Sequence, residues 1–199
     1  MISKTLRSES SEIGQFIETF NALSQHSEVD FRNIDGKKVR VFYKNSRMVG
    51  GYVVNTVPPF QYLAVSNKAA WQELADEDDF AEIVHIWLDR SSGEVSQWDR
   101  AIFWFKVISD YIKTGKKYYL GGALCKKVRD YQKLVLRNDL DTGIVLIKGQ
   151  QRKFWTFYGS LSDMLIHFPI AVLSVLLKDA RKNLSKKKHM FSKEWGTSK

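Results

Sequence analysis

Proline occurs three times, cysteine once, and no unbroken apolar run approaches the thickness of a bilayer. Each scarcity removes a class of protein. Three prolines and twelve glycines in 199 residues exclude collagen-like and low-complexity architectures. Cys125 has no partner for an internal disulfide, which fits a reducing compartment, and a cytoplasmic location is expected. Cys125 itself reads as a small helix residue rather than a nucleophile. The longest apolar stretch, Met164 to Leu177, is interrupted by His167, Pro169 and Ser174 and falls short of the ~20 residues a spanning helix needs. The opening MISKTLRSESSE lacks the apolar centre of a secretory signal. His26, His85, His167 and His189 are the only histidines, and none stands at ligand spacing with another histidine or the cysteine, so no metal is expected. A Gly-x-Ser-x-Gly elbow, a P-loop and a dinucleotide fingerprint are all missing. The acidic residues are too scattered to single out a glycosidase pair.

What is present describes one globular unit. Apolar residues make up 44% and aromatics 13%, enough for one well-buried core at this length. We expect a single domain over 1–184 and a basic C-terminal tail over 185–199. Net charge is +9, which favours an acidic partner: nucleic acid, anionic lipid, a phosphorylated cofactor or an acidic carrier protein. Part of that surplus is local, because lysines and arginines crowd the chain from Lys178 onward.

Periodicity supplies the order of elements. Ile13, Phe16, Ile17, Phe20 and Leu23 share one face of a helix over 11–23. Val39–Tyr43 and Met48–Asn55 read as a hairpin, with Gly50-Gly51 marking a bulge or a close backbone approach. A short helix over 67–75 leads through an acidic loop to Ala81–Leu88, whose apolar character on both faces places it mid-sheet. Ser96 and Asp99 mark the start of a helix over 97–113 that carries apolar residues on more than one face, and Gly115 ends it. A strand over 117–121, a helix over 124–136 and a hairpin of 143–148 with 153–158 follow. A last helix begins near Ser162 or, more firmly, at Pro169. The closed solution for this order is an α/β (α+β) fold, a mixed central sheet with helices on both faces.

The succession of hairpin, central strand, helix, strand, helix and closing hairpin over 38–159 resembles the GNAT-type N-acyltransferases. Two segments add to it. Arg90-Ser91-Ser92-Gly93-Glu94-Val95-Ser96 follows the central strand where that family has an Arg/Gln-x-x-Gly-x-Gly/Ala cofactor loop, with Arg90 and Gly93 matching and Val95 in place of the small residue. Backbone N–H groups converging on a pyrophosphate at a helix N-terminus are the chemistry of such a loop. Tyr131-Gln132-Lys133-Leu134-Val135 resembles the family's Tyr-x-Lys-Leu-Gly segment, whose tyrosine protonates a departing thiolate.

The resemblance implies an acyltransferase moving an acyl group from a thioester, acyl-CoA or acyl carrier protein, to an amine or hydroxyl of a small molecule, peptide or protein by direct attack. Tyr131 would be the acid, and Arg90, Ser91, Gly93 and Ser96 would hold the donor. From its place in the central strand, His85 is the candidate base, with Glu82 as the alternative. A strict period of two puts Ile83, His85 and Trp87 on one face, and Glu82, Val84, Ile86 and Leu88 on the other.

Two non-enzymatic readings compete. Lys37, Lys38, Arg40, Lys44 and Arg47 around Phe42 and Tyr43, and Lys148, Arg152 and Lys153 beside Phe154 and Trp155, mix bases with aromatics as single-strand binders do, though nucleic acid is the less favoured partner. The segment Pro169–Lys188 starts apolar and ends basic, as a helix resting on a membrane surface would.

Overall fold

A computed structural model describes residues 1–7, 10–24, 29–72, 74, 76–89, 93–147 and 149–173. Arg90, Ser91 and the tail expected over 185–199 lie outside them.

Seven strands form one sheet in the order β1-β2-β3-β4-β5-β7-β6. They are β1 Ile2–Leu6, β2 Lys38–Lys44, β3 Arg47–Asn55, β4 Phe80–Leu88, β5 Tyr118–Ala123, β6 Asn138–Ile147 and β7 Gln150–Ser160. Every neighbouring pair is antiparallel except β4 with β5. The helices are α1 Glu12–Leu23, α2 Gln61–Ala64, α3 Lys68–Gln72, α4 Gln97–Ile112 and α5 Lys126–Gln132, followed by α6 over 161–173. No described helix is long and apolar enough to cross a membrane.

Each face of the sheet buries its own layer. α1 sends Ile13, Phe16 and Phe20 onto Val39, Val41, Val53, Val84 and Trp87. α4 sends Phe103, Val107, Ile108 and Tyr111 onto the opposite face, against Phe42, Tyr52, Val54, Ala81 and Ile83. Gly51 permits the close α1 packing, since a Cβ there would stand 2.8 Å from the Phe16 ring and 2.8 Å from the Arg40 carbonyl oxygen. In the first hairpin, Asn45 and Ser46 both have positive φ, as a two-residue turn matched to strand twist demands.

Between α4 and the first hairpin lies a buried ionic cluster. Asp110 accepts hydrogen bonds from the Arg40 guanidinium, from Lys38 Nζ at 3.1 Å and from the Tyr52 hydroxyl at 2.9 Å. Burial opposes the charge on Asp110, but these donors outweigh it and hold the carboxyl below its ordinary range.

Several expectations change. β1 was not anticipated: its one buried apolar side chain, Leu6, gives too weak a pattern to read. The helix expected over 67–75 is the shorter α3, Lys68–Gln72, and α2 ahead of it was not anticipated. The helix expected over 124–136 ends at Gln132, and in the second hairpin β7 begins at Gln150, three residues earlier than the expected Lys153. Pro169 lies inside α6 rather than at its start. Ser160 Oγ accepts the Asp163 N–H at 3.1 Å while Asp163 accepts the Ser160 N–H at 2.9 Å, a reciprocal cap that begins the helix earlier. α4 buries one face only, because Trp98, Ile102 and Phe105 remain exposed.

Candidate active site

The parallel strands β4 and β5 pair over only three residues, Phe80–Glu82 against Tyr118–Leu120, and then part. Two features of the chain drive the separation. The first is a bulge in β4: Gly51 lies opposite Trp87, whereas Val53, two residues on, lies opposite Val84, so β4 carries one extra residue. His85 sits in that interval with φ +52°, a left-handed conformation rare for a side chain with a Cβ. The bulge overturns the two-residue alternation. Val84, His85 and Trp87 face α1, with the His85 ring 5.3 Å from that of Phe20, while Ile83, Ile86 and Leu88 face α4.

The second feature is a wedge. At the point of parting, the Tyr111 hydroxyl accepts the Ile83 N–H at 2.8 Å and donates to the Leu120 carbonyl at 2.6 Å. One phenol oxygen thus stands where a direct ladder bond would otherwise form. On the other side of the sheet, the Tyr62 hydroxyl donates to the Ile83 carbonyl at 3.1 Å. Gly122, in the parting stretch of β5, leaves room for Tyr62 and Phe154, since a Cβ there would fall 2.6 Å from the Tyr62 ring. The result is a fork whose β4 wall, apart from the left-handed His85, is strand backbone released from β5, a surface to which an amide-bearing chain can add.

Around the fork the candidate groups have distinct surroundings. Glu82 is fully buried, and its carboxylate accepts from Asn55 Nδ2 and from the N–H groups of Gln61 and Tyr62 at 2.9–3.0 Å. Burial pushes its pKa up, against those hydrogen bonds. It caps the start of α2 and has no access to a substrate, which removes it as a base. His85 is half-buried and bonds Gln61 through Nε2 at 3.1 Å. Burial, helped by the charge of Lys37, pushes its pKa down to about 4, so the imidazole is neutral at physiological pH.

That shift has a measurable consequence. The unfolded chain protonates this histidine near 6.5 and the folded chain only near 4, so between those values unfolding takes up a proton and stability falls as pH falls. His85→Asn keeps a side chain that tolerates left-handed backbone, and it should flatten this part of a melting-temperature profile recorded from neutral pH down to about 4. An unchanged slope would place the titration elsewhere.

Ser96 caps α4 as its spacing predicts, in a reciprocal arrangement with Asp99. The nearly buried Asp99 carboxylate accepts the Ser96 N–H at 2.9 Å and Lys44 Nζ at 2.6 Å. Burial opposes its ionisation, but Lys44 and Ser96 hold the carboxyl far below the usual range. The end of α4 that would meet a pyrophosphate therefore already carries a carboxylate. Gly93 adopts φ +68° in open space, as the turn between β4 and α4 requires.

Tyr131 lies on α5, 47% exposed, and its hydroxyl has no hydrogen-bond partner among the described residues. No hydrogen bond joins it to His85. Near the end of β5, Trp155 pairs with Ala123, and both the Arg129 guanidinium and the Lys153 ammonium lie over its ring at 5.4 and 5.3 Å. Sequence reasoning assigned no site role to Tyr111, Tyr62 or Gln61, and gave Lys44 only a place in a basic hairpin. Their roles follow from contacts across the sheet, not from spacing. Among the described residues, no group of three or more His, Cys, Asp or Glu side chains is placed to hold a metal.

The first hairpin does not present the basic surface its composition suggested. Lys38 and Arg40 bind Asp110, Lys44 binds Asp99, Arg47 pairs with Asp89, and Phe42 is fully buried.

No protein-family model matches the sequence, and no curated protein does. Solved structures do match. An N-acyl amino acid synthase from uncultured soil microbes superposes with a TM-score of 0.63 at 11% identity, over 84% of this chain and 99% of that one. A CoA-dependent acyl-homoserine lactone synthase gives 0.57 at 9%, over 82% and 93%. The ribosomal-protein-alanine N-acetyltransferase of Brucella melitensis gives 0.52 at 10%, over 81% and 100%. At such identities the likeness is one of fold, and the chain has the fold of the GNAT-type acyltransferases.

Proposed function

We propose that this chain is an acyltransferase that binds a thioester in the fork between β4 and β5 and passes its acyl group to an amine or hydroxyl by direct attack. The fork is the observation that carries the reading. An extended pantetheine-like arm offers amides to the free wall of β4, and the parted strands leave room for the thioester carbon between the two halves of the sheet. His85, neutral and held by Gln61, takes the proton of the attacking group, directly or through a water. Tyr131 returns a proton to the departing sulfur. Arg90, Ser91, Gly93 and Ser96 are the donor-holding residues that the likeness to the family's cofactor loop implies. The acceptor is a small molecule, peptide or protein bearing an amine or hydroxyl, and the domain spans 1–184.

The charge pattern favours an acyl carrier protein over acyl-CoA as the donor. Asp99, itself paired with Lys44, already engages the capping groups at the start of α4, while Lys126, Lys127, Arg129 and Lys153 gather near the end of β5, suited to an acidic protein surface. A cytoplasmic location accords with both donors.

Thermal stability with coenzyme A, acetyl-CoA, long-chain acyl-CoA and acyl carrier protein tests the reading. A donor at ~100 times its dissociation constant adds about 2.7 kcal/mol, a clear rise in melting temperature. The largest rise is expected with acyl carrier protein. A rise with the CoA donors alone would reassign the donor and keep the reaction. No rise with any of them would contradict the proposal.

A further inference from the structure

β7 pairs with β5 only from Trp155 to Ser160, whereas β6 and β7 continue together out to Ile147 and Gln150. The outer half of the β6–β7 hairpin is therefore a two-stranded arm that extends past the end of β5. Its β6 edge, Gly143 to Ile147, is the last strand of the sheet and bears no charge, and two of its side chains, Ile144 and Leu146, are each 73% exposed. Strands left at an edge are normally guarded by charge, proline or a covering element. The opposite edge of this sheet is guarded in that way, with Lys4 at the middle of β1, and so is the inner half of β6, with Asp139 and Asp141. Among the described residues the outer half has no such guard.

We propose that this edge pairs antiparallel with the same edge of a second copy of the chain, about Val145, so that two sheets become one. The stretch Gly-Ile-Val-Leu-Ile reads nearly alike in both directions, as a two-fold interface requires. Centred on Val145, the pairing sets Ile144 against Leu146 of the other copy and Gly143 against its Ile147. Both exposed side chains then meet apolar partners, and the free backbone groups of both edges are satisfied. The same register keeps Asp139 and Asp141 of one copy away from those of the other, with Asp141 opposite Gly149. An uncharged, self-matching strand selects a second copy over an acidic or basic partner. The proposal is independent of the donor reading, since the arm lies outside the fork.

Sedimentation velocity on the full chain, from low to high micromolar concentration, tests it. A monomer–dimer equilibrium is expected, and Ile144→Lys or Leu146→Lys should leave a monomer with an unchanged circular dichroism spectrum and, at concentrations where the parent chain is itself monomeric, an unchanged melting temperature. In a Cys125→Ser background, Val145→Cys should form a disulfide-linked dimer on mild oxidation, because residue 145 faces its own copy across the axis. A chain that stays monomeric throughout, or a dimer that neither lysine weakens and Val145→Cys does not trap, would overturn the proposal.

Discussion

Asp110→Ala should lower stability by about 3–5 kcal/mol, the cost of stranding a buried charge whose partner has been removed. Asp110 is 1% exposed and is the shared acceptor for Arg40, Lys38 and Tyr52. Without it the buried Arg40 guanidinium keeps its charge and loses its carboxylate, and the Tyr52 hydroxyl loses its acceptor. A domain of this size holds roughly 5–15 kcal/mol in total, so the variant would be near its limit at physiological temperature. At roughly 2–4 °C per kcal/mol, the melting temperature should drop by on the order of 10 °C. Lys38→Ala is the control: its side chain is 38% exposed, and a pair so open to solvent contributes at most about 1 kcal/mol. The sign with pH follows from the depressed carboxyl. The stabilisation is complete above the ordinary value of 3.8 and disappears only as pH falls below it. Equilibrium denaturation of the two variants measures both effects. Equal, small losses would mean that the cluster contributes no more than its surface lysine does.

Tyr111→Phe should cost about 2–4 kcal/mol, although it removes a single oxygen. That oxygen satisfies the Ile83 N–H and the Leu120 carbonyl together, and each buried group left without a partner costs roughly 1–3 kcal/mol. The phenylalanine ring still fills the space between α4 and the sheet, so the loss reports on the hydrogen bonds and not on packing. Amide exchange at Ile83 should accelerate beyond what the global loss explains. If stability is retained instead, the strands have closed on each other, and the hydroxyl is not what keeps the fork open.

Most of the fold is legible in the sequence because it rests on local signals. Ser96 and Asp99 announce α4, Phe16 and Phe20 at helical spacing announce α1, and the apolar run Ile83–Leu88 places β4 mid-sheet. What escapes has a common cause. β1 carries too little apolar alternation to stand out, and gains its place only by pairing with β2. α6 starts before the proline because Ser160 and Asp163 cap it, a local signal weaker in appearance than Pro169 but decisive in geometry.

The candidate site is legible in part. His85 could be picked as a histidine in a central strand, but the bulge that turns it toward α1 leaves no trace in a two-residue period. The fork depends on Tyr111, which reads from the sequence as one more core residue of a long helix. Only its contact with two strands remote from it in sequence reveals what its hydroxyl does. Glu82 shows the converse: a carboxylate in a central strand invites a catalytic role, yet the contacts around it make it a cap for α2.

Amide hydrogen exchange with and without the donor that most raises the melting temperature would test the central claim most directly. Binding in the fork should slow exchange along β4 past the bulge, over His85–Leu88, and along the facing stretch of β5, with little change in β1 or in the outer β6–β7 hairpin. Saturating donor that leaves both walls of the fork unprotected, or protects only surfaces away from it, would contradict the account.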